Sequence, residues 1–87
     1  MRIVFAKQFT KRFKKLPKHF HRTFEERLFL FEQNRKRHVL HDHALSGEWA
    51  GHRSINIIGN YRAIYKEVEV DVFKFVTIGT HSELYGS

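Results

Sequence analysis

The sequence has no cysteine, one proline and one tryptophan in 87 residues. The missing cysteines exclude disulfides and thiolate metal sites, which suits a reducing compartment. No apolar run approaches the roughly 20 residues that a membrane-crossing helix needs. The opening "MRIVFAKQF" lacks the apolar stretch of a signal peptide, so the expectation is a cytoplasmic protein that meets no membrane. Internal repeats and low-complexity segments are absent too. Acidic residues are the least evenly spread: the first is Glu25.

What is present is apolar bulk and positive charge. A hydrophobic fraction of 41%, with nine phenylalanines, suffices for one folded domain over residues 1–87 and argues against disorder. Sixteen Lys and Arg against nine acids give a net charge of +7. Before Glu25 the chain carries Arg2, Lys7, Lys11, Arg12, Lys14, Lys15, Lys18 and Arg22 unopposed. Such a footprint fits a polyanion, nucleic acid first among them, or a solvated basic face.

The chain changes period at its middle. "RIVFA" reads as a short strand, after which Phe9, Phe13 and Leu16 fall at i, i+4, i+7 on one helical stripe. Pro17 ends that helix and suits the start of the next, where Phe20, Phe24, Leu28 and Phe31 repeat until "NRKRH". The second half is β-branched and aromatic: "HRSINI", "YRAIYKEV" and "VFKFVTI" predict a three-stranded antiparallel meander, turning at Gly59-Asn60 and around Glu69 to Asp71. The nearly continuous apolar last strand is expected in the middle of the sheet. Between the halves, "VLHDHALSGEWAGH" reads as irregular loop. The fold class is α+β, with an N-terminal strand and a helical hairpin packed on one face of a small antiparallel sheet.

Register decides what the other face presents. A two-residue turn at Gly59-Asn60 would put Arg62 among Ile55 and Ile57, an expensive burial without a partner. A three-residue connection pairs Asn56 with Arg62 instead and turns both isoleucines to the helices. Ser54, Asn56 and Arg62 then share the open face. Of the seven histidines, His38, His41 and His43 cluster as H-x-x-H-x-H, a weak metal-ligand spacing with no fourth ligand, so no metal is expected.

"DHALSGEWAGHRSI", "NYRAIYK" and "IGTHSELYG" follow one another at the spacing of the RelE/ParE toxin superfamily. The chain most closely resembles its YafQ-like branch, densely over residues 42–86 and by pattern in the helices before them. That resemblance implies a RelE-like fold and a type II toxin: a ribosome-dependent endoribonuclease that cleaves mRNA, has no cofactor, and is held inactive by a cognate antitoxin. The partners implied are antitoxin, ribosome and mRNA. Metal-free RNA cleavage needs a base for the 2′-OH, an acid for the departing 5′ oxygen and cations on the phosphate. His43, His81, Arg62 and Tyr85 are the residues expected to supply this chemistry, arginine holding phosphate bidentately and tyrosine stacking or orienting. Asn56, Asn60, Tyr61 and Arg53, with Lys11, Lys14, Lys15 and Lys18 of the first helix, are expected to contact RNA.

The chain departs from the branch's pattern at three places. Asn56 stands where a histidine is usual, Asn60-Tyr61 where an acid-tryptophan pair is usual, and Thr77 where an arginine is usual. Two other functions stay open on sequence: a ParE-like gyrase inhibitor, and a catalytically weakened relative that serves as a binding module. Trp49 reads as a plug locking its loop to the core, Gly47 and Gly51 as loop formers, and Gly79 as the point where the last strand turns sharply.

Overall fold

Ile3 and Val4 extend the chain start into β1 (Arg2–Phe5), and the stripe of Phe9 and Phe13 coils the next segment into α1 (Lys7–Lys14). Pro17 then stands outside α2 (Lys18–Gln33) as its N-cap, in the extended backbone that a proline ring favours. The computed structural model describes residues 1–86 and continues with β2 (His43–Ala44), β3 (Arg53–Asn56), β4 (Tyr61–Glu69), β5 (Val72–Thr80) and α3 (His81–Tyr85). Short 3₁₀ turns occupy His38–Leu40 and Gly47–Trp49. No helix among the described residues is long and apolar enough to cross a membrane.

The strands form one five-stranded sheet in the order β1-β5-β4-β3-β2. The expected β3–β4–β5 meander is there, with β5 inside the sheet between β1 and β4. The sheet exceeds the expected three strands for two reasons. β1 joins parallel to β5, fixed by backbone bonds from Arg2 N–H to the Asp71 carbonyl (2.9 Å) and from Ala6 N–H to the Phe75 carbonyl (3.0 Å). The segment that looked irregular contributes β2, which pairs His43 with Ser54 and Ala44 with Arg53. Two residues are too few to show a periodicity in sequence.

The three-residue connection holds. Tyr61 N–H reaches the Ile58 carbonyl at 2.8 Å, Gly59 takes a left-handed φ of 52°, and Asn56 pairs with Arg62. Ile55 and Ile57 consequently join the core against the helices. That core is ring on ring. Phe31 meets Tyr65, Phe73 and Phe75 edge-on at 4.8, 5.6 and 5.3 Å between centroids, and Phe24 meets Phe9, Phe13 and Phe75 at 5.2, 5.3 and 5.7 Å. Such pairs add about 0.5–1.5 kcal/mol each beyond burial. His21 closes the helical corner, stacking on Phe13 at 4.2 Å while its Nε2–H donates to the Phe13 carbonyl at 2.7 Å.

On the opposite side of the sheet Ile64 and Leu84 are buried apart from that core, and Ser54 and Thr77 are buried beside Ile64 in the strand register. Ser54 therefore corrects the expectation of an open position: it shares the strand side of Asn56 and Arg62 but is covered. On this side the Trp49 loop and α3 are tied together by the Trp49 indole N–H donating to the Leu84 carbonyl at 3.0 Å. Trp49 thus fastens its loop, and the left-handed φ of Gly47 (63°) and Gly51 (86°) gives that loop its shape.

Candidate active site

The last strand does not fray after Thr80. Thr80 and Glu83 form a capping box: the Thr80 hydroxyl accepts from Glu83 N–H at 3.2 Å, and the Glu83 carboxylate accepts from Thr80 N–H at 2.7 Å. Arg12 of α1 reinforces it, donating through Nε to the Ile78 carbonyl at 2.6 Å and pairing with Glu83 at 3.4 Å. The Thr80 N–H, with Arg12 adding to it, holds the Glu83 carboxyl below its ordinary pKa. Gly79 belongs to this lock. It needs no left-handed turn; instead a Cβ there would lie 2.5 Å from Arg12 Nη2 and 3.0 Å from Glu83 Oε1, so close approach corrects the expected sharp bend. His81 starts α3, and its backbone N–H donates to the Asn60 carbonyl at 2.9 Å. The final helix is thereby hung on the turn that precedes Arg62.

A second anchor sets the other wall. The Asp42 side chain, only 2% exposed, accepts from Arg53 Nε at 2.6 Å and from the Tyr65 hydroxyl at 2.5 Å. Burial, then the Asp42 hydrogen bond, pushes the Tyr65 hydroxyl above its ordinary pKa, and Asp42 raises that of Arg53 in turn. Arg35 completes the cluster with a bond to the Tyr65 hydroxyl at 3.3 Å and a guanidinium 5.0 Å over the Phe73 ring. With Asp42 pinned, its neighbours His41 and His43 are held out toward solvent, their rings 5.1 Å apart.

The two walls enclose an open cleft of about 490 Å³ lined by His41, His43, Ala44, Leu45, Ser46, Arg62, His81 and Tyr85. The four residues expected to carry the chemistry, His43, His81, Arg62 and Tyr85, come together here. Arg62 Nη1 donates to the Gly59 carbonyl at 2.8 Å and the Tyr61 carbonyl at 3.1 Å, which aims the guanidinium and leaves it without a carboxylate partner among the described residues. His43 Nδ1 lies 2.8 Å from the His41 carbonyl. A carbonyl only accepts, so neutral His43 carries its proton on Nδ1 and presents the Nε2 lone pair. His81 stands edge-on to Tyr85 at 4.6 Å. The lining holds no Asp or Glu, and the chemistry it offers is proton transfer beside a bound anion.

The other expected contacts scatter. Asn56 is half-buried next to Arg62, with its Oδ1 buried and unpartnered among the described residues, and Asn60 is exposed at the turn. Tyr61 leaves the cleft: its ring packs on Phe20 at 4.6 Å against the helix-side core. Arg53 is committed to Asp42. Lys11, Lys14, Lys15 and Lys18 are exposed, the first three along a groove with Phe5 and Lys7. Sequence reasoning missed His41 and Ser46 as cleft residues. The signal available was adjacency, since both flank the "DHAL" run that forms β2. Among the described residues no His, Asp or Glu group is placed to hold a metal ion.

Residues 1–86 match the family described as the bacterial toxin of type II toxin–antitoxin systems, YafQ. The chain belongs to this toxin family. Among solved structures, YafQ from E. coli is 26% identical over 99% of this chain and 100% of that one, with a TM-score of 0.81. A copper-bound mutant toxin from Helicobacter pylori is also 26% identical, over 98% of this chain and 99% of that one, with a TM-score of 0.72. The RelB–RelE antitoxin–toxin complex from Methanococcus jannaschii matches over 95% of each chain with a TM-score of 0.72, and at 23% identity it speaks for the fold alone. No curated protein sequence matches this one. The YafQ family and its RelE-like α+β fold agree with the resemblance carried by the second-half motifs.

Proposed function

We propose that this toxin is an endoribonuclease that cuts mRNA on the ribosome, using the 2′-OH of its substrate and the acid–base chemistry of its own side chains. The observation that carries this reading is the cleft that gathers His43, His81, Arg62 and Tyr85 without a carboxylate on its walls. Arg62 holds the scissile phosphate through its free guanidinium edge. His43, with Nε2 free to accept, takes the 2′-OH proton as the 2′ oxygen attacks phosphorus. The bond to the 5′ oxygen breaks, and His81 protonates that oxygen. The products are a 2′,3′-cyclic phosphate and a 5′-hydroxyl. Tyr85 braces His81. Asn56 and Asn60 border this path, and the exposed lysines of α1 meet ribosomal phosphates, positioning the protein without reading sequence.

The partners follow from the family and the charge. A chain of net charge +7 is suited to an acidic antitoxin segment, and the E. coli DinJ–YafQ complex is a structural neighbour at a TM-score of 0.70. Folding of a disordered segment on binding lets such a partner wrap a large surface. Action on ribosomes puts the protein in the cytoplasm. The test is a translation reaction with purified ribosomes, scored for cut mRNA. Cleavage that depends on ribosomes supports the reading. Intact mRNA together with gyrase-linked DNA breaks would replace it with gyrase inhibition.

A further inference from the structure

The cleft contains one more histidine than proton transfer requires. His41 is exposed on the cleft wall, and among the described residues neither of its ring nitrogens has a hydrogen-bond partner. Its backbone is left-handed, φ 48° and ψ 46°, where a non-glycine residue is strained by roughly 1–2 kcal/mol. Two anchors hold it there. Its N–H bonds the His38 carbonyl at 3.0 Å, and Asp42 is tied into the sheet by Arg53 and Tyr65. The His41 ring is consequently presented 5.1 Å from that of His43 rather than left to wander.

Resting on the RNA-cleavage reading, we propose that His41 is a third catalytic histidine. Its ring N–H donates to a non-bridging oxygen of the phosphate held by Arg62, while its main-chain carbonyl fixes the tautomer of His43. Negative charge grows on those oxygens as the 2′ oxygen bonds to phosphorus, and Arg62 Nη1 already donates to the Gly59 and Tyr61 carbonyls, which leaves fewer of its donors for them. An imidazole offers an N–H in either protonation state, so the contact does not depend on the charge of His41.

The decisive variant is His41→Asn, because asparagine tolerates the left-handed backbone and keeps the carbonyl that orients His43. Single-turnover mRNA cleavage on ribosomes should fall about 10²-fold, the usual cost of one lost donor on a developing charge. The unfolding midpoint should hold or rise, and His41→Gly should lose the same activity. In parallel, the ring resonances of His41, His43 and His81 are followed by NMR as a short RNA with 2′-deoxy substitution at the cleavage position is added to the parent toxin. All three should move. A His41→Asn protein that cleaves at the parental rate overturns the proposal. So does a His41 resonance that stays still while those of His43 and His81 shift. If the parent cuts no mRNA but the oligonucleotide moves His41, the phosphate contact stands and the cleavage reading falls; an oligonucleotide that moves none of the three overturns both.

Discussion

On the helix side of the sheet, rings touch rings, and among the described residues Arg27 Nε is the single buried polar side-chain atom of the two helices without a hydrogen-bond partner. On the cleft side, Ser54, Asn56, Thr77 and Tyr85 each bury a polar side-chain atom that has no partner among the described residues. Each such atom costs about 1–3 kcal/mol when left unmade. A domain of this size tolerates that expense on one face only because the other is packed with Phe9, Phe24, Phe31, Phe73 and Phe75. The comparison teaches a division of work: the helix side supplies stability, and the cleft side spends part of it on holding two walls of polar side chains apart. If that division is real, substitutions on the two faces should separate cleanly into those that change rate and those that change stability.

The largest separation is expected in the cleft. His43→Ala and His81→Ala should each reduce cleavage on ribosomes by about 10²–10⁴-fold, with unfolding midpoints close to the parent's, since both side chains are exposed. Loss of folding in either variant would break the division. On the helix side Phe31→Ala should do the reverse. Phe31 is fully buried against three rings, and its truncation should cost about 3–5 kcal/mol in denaturant unfolding. Any of that protein that remains folded should cleave at the parental rate.

Asp42 sharpens the comparison, because it belongs to both sides. Its carboxylate is buried between Arg53 and Tyr65, yet its neighbours on either side line the cleft. Asp42→Asn should cost about 1–3 kcal/mol of stability through the weakened bonds and also slow cleavage as His41 and His43 lose their footing. A stability loss with the rate untouched would show that the anchor does not position the histidines. The smallest effect is expected at Glu83, which is half exposed. Glu83→Gln keeps the capping geometry and removes only the charge, so the difference should stay under about 1 kcal/mol. Its sign follows from the lowered carboxyl pKa. The stabilisation is present above the ordinary carboxyl value of 4.5 and disappears as pH falls through the lower folded value. Unfolding midpoints of the two proteins should therefore converge in acid. A gap that persists there would remove the charge as its cause.

The helix-side half of this comparison was legible in the sequence, and the cleft-side half only in part. Phenylalanines at helical spacing and β-branched strands announce where apolar surface must go, and the cost of burying Arg62 among isoleucines selected the correct register. That register brought Asn56 opposite Arg62, and the motif residues His43, His81 and Tyr85 arrived in the same cleft. Three things were hidden. β1's place beside β5 rests on backbone bonds that no side chain encodes. Tyr61 and Arg53 read as RNA contacts because aromatic and basic residues suit RNA, but Phe20 and Asp42 claim them. His41 faces the cleft only because Asp42 points inward, a contact across 23 residues to Tyr65 that sequence spacing does not reveal.

The most direct test of the central claim is the chemistry of the cut ends. An mRNA carrying a single 2′-deoxy nucleotide at the mapped cleavage position should resist the toxin on ribosomes. The all-ribose message should be cut there to leave a 2′,3′-cyclic phosphate and a 5′-hydroxyl. Cleavage of the deoxy-substituted message at the same position, or products ending in a 3′-hydroxyl and a 5′-phosphate, would contradict attack by the 2′-OH and with it the roles given to His43 and His81.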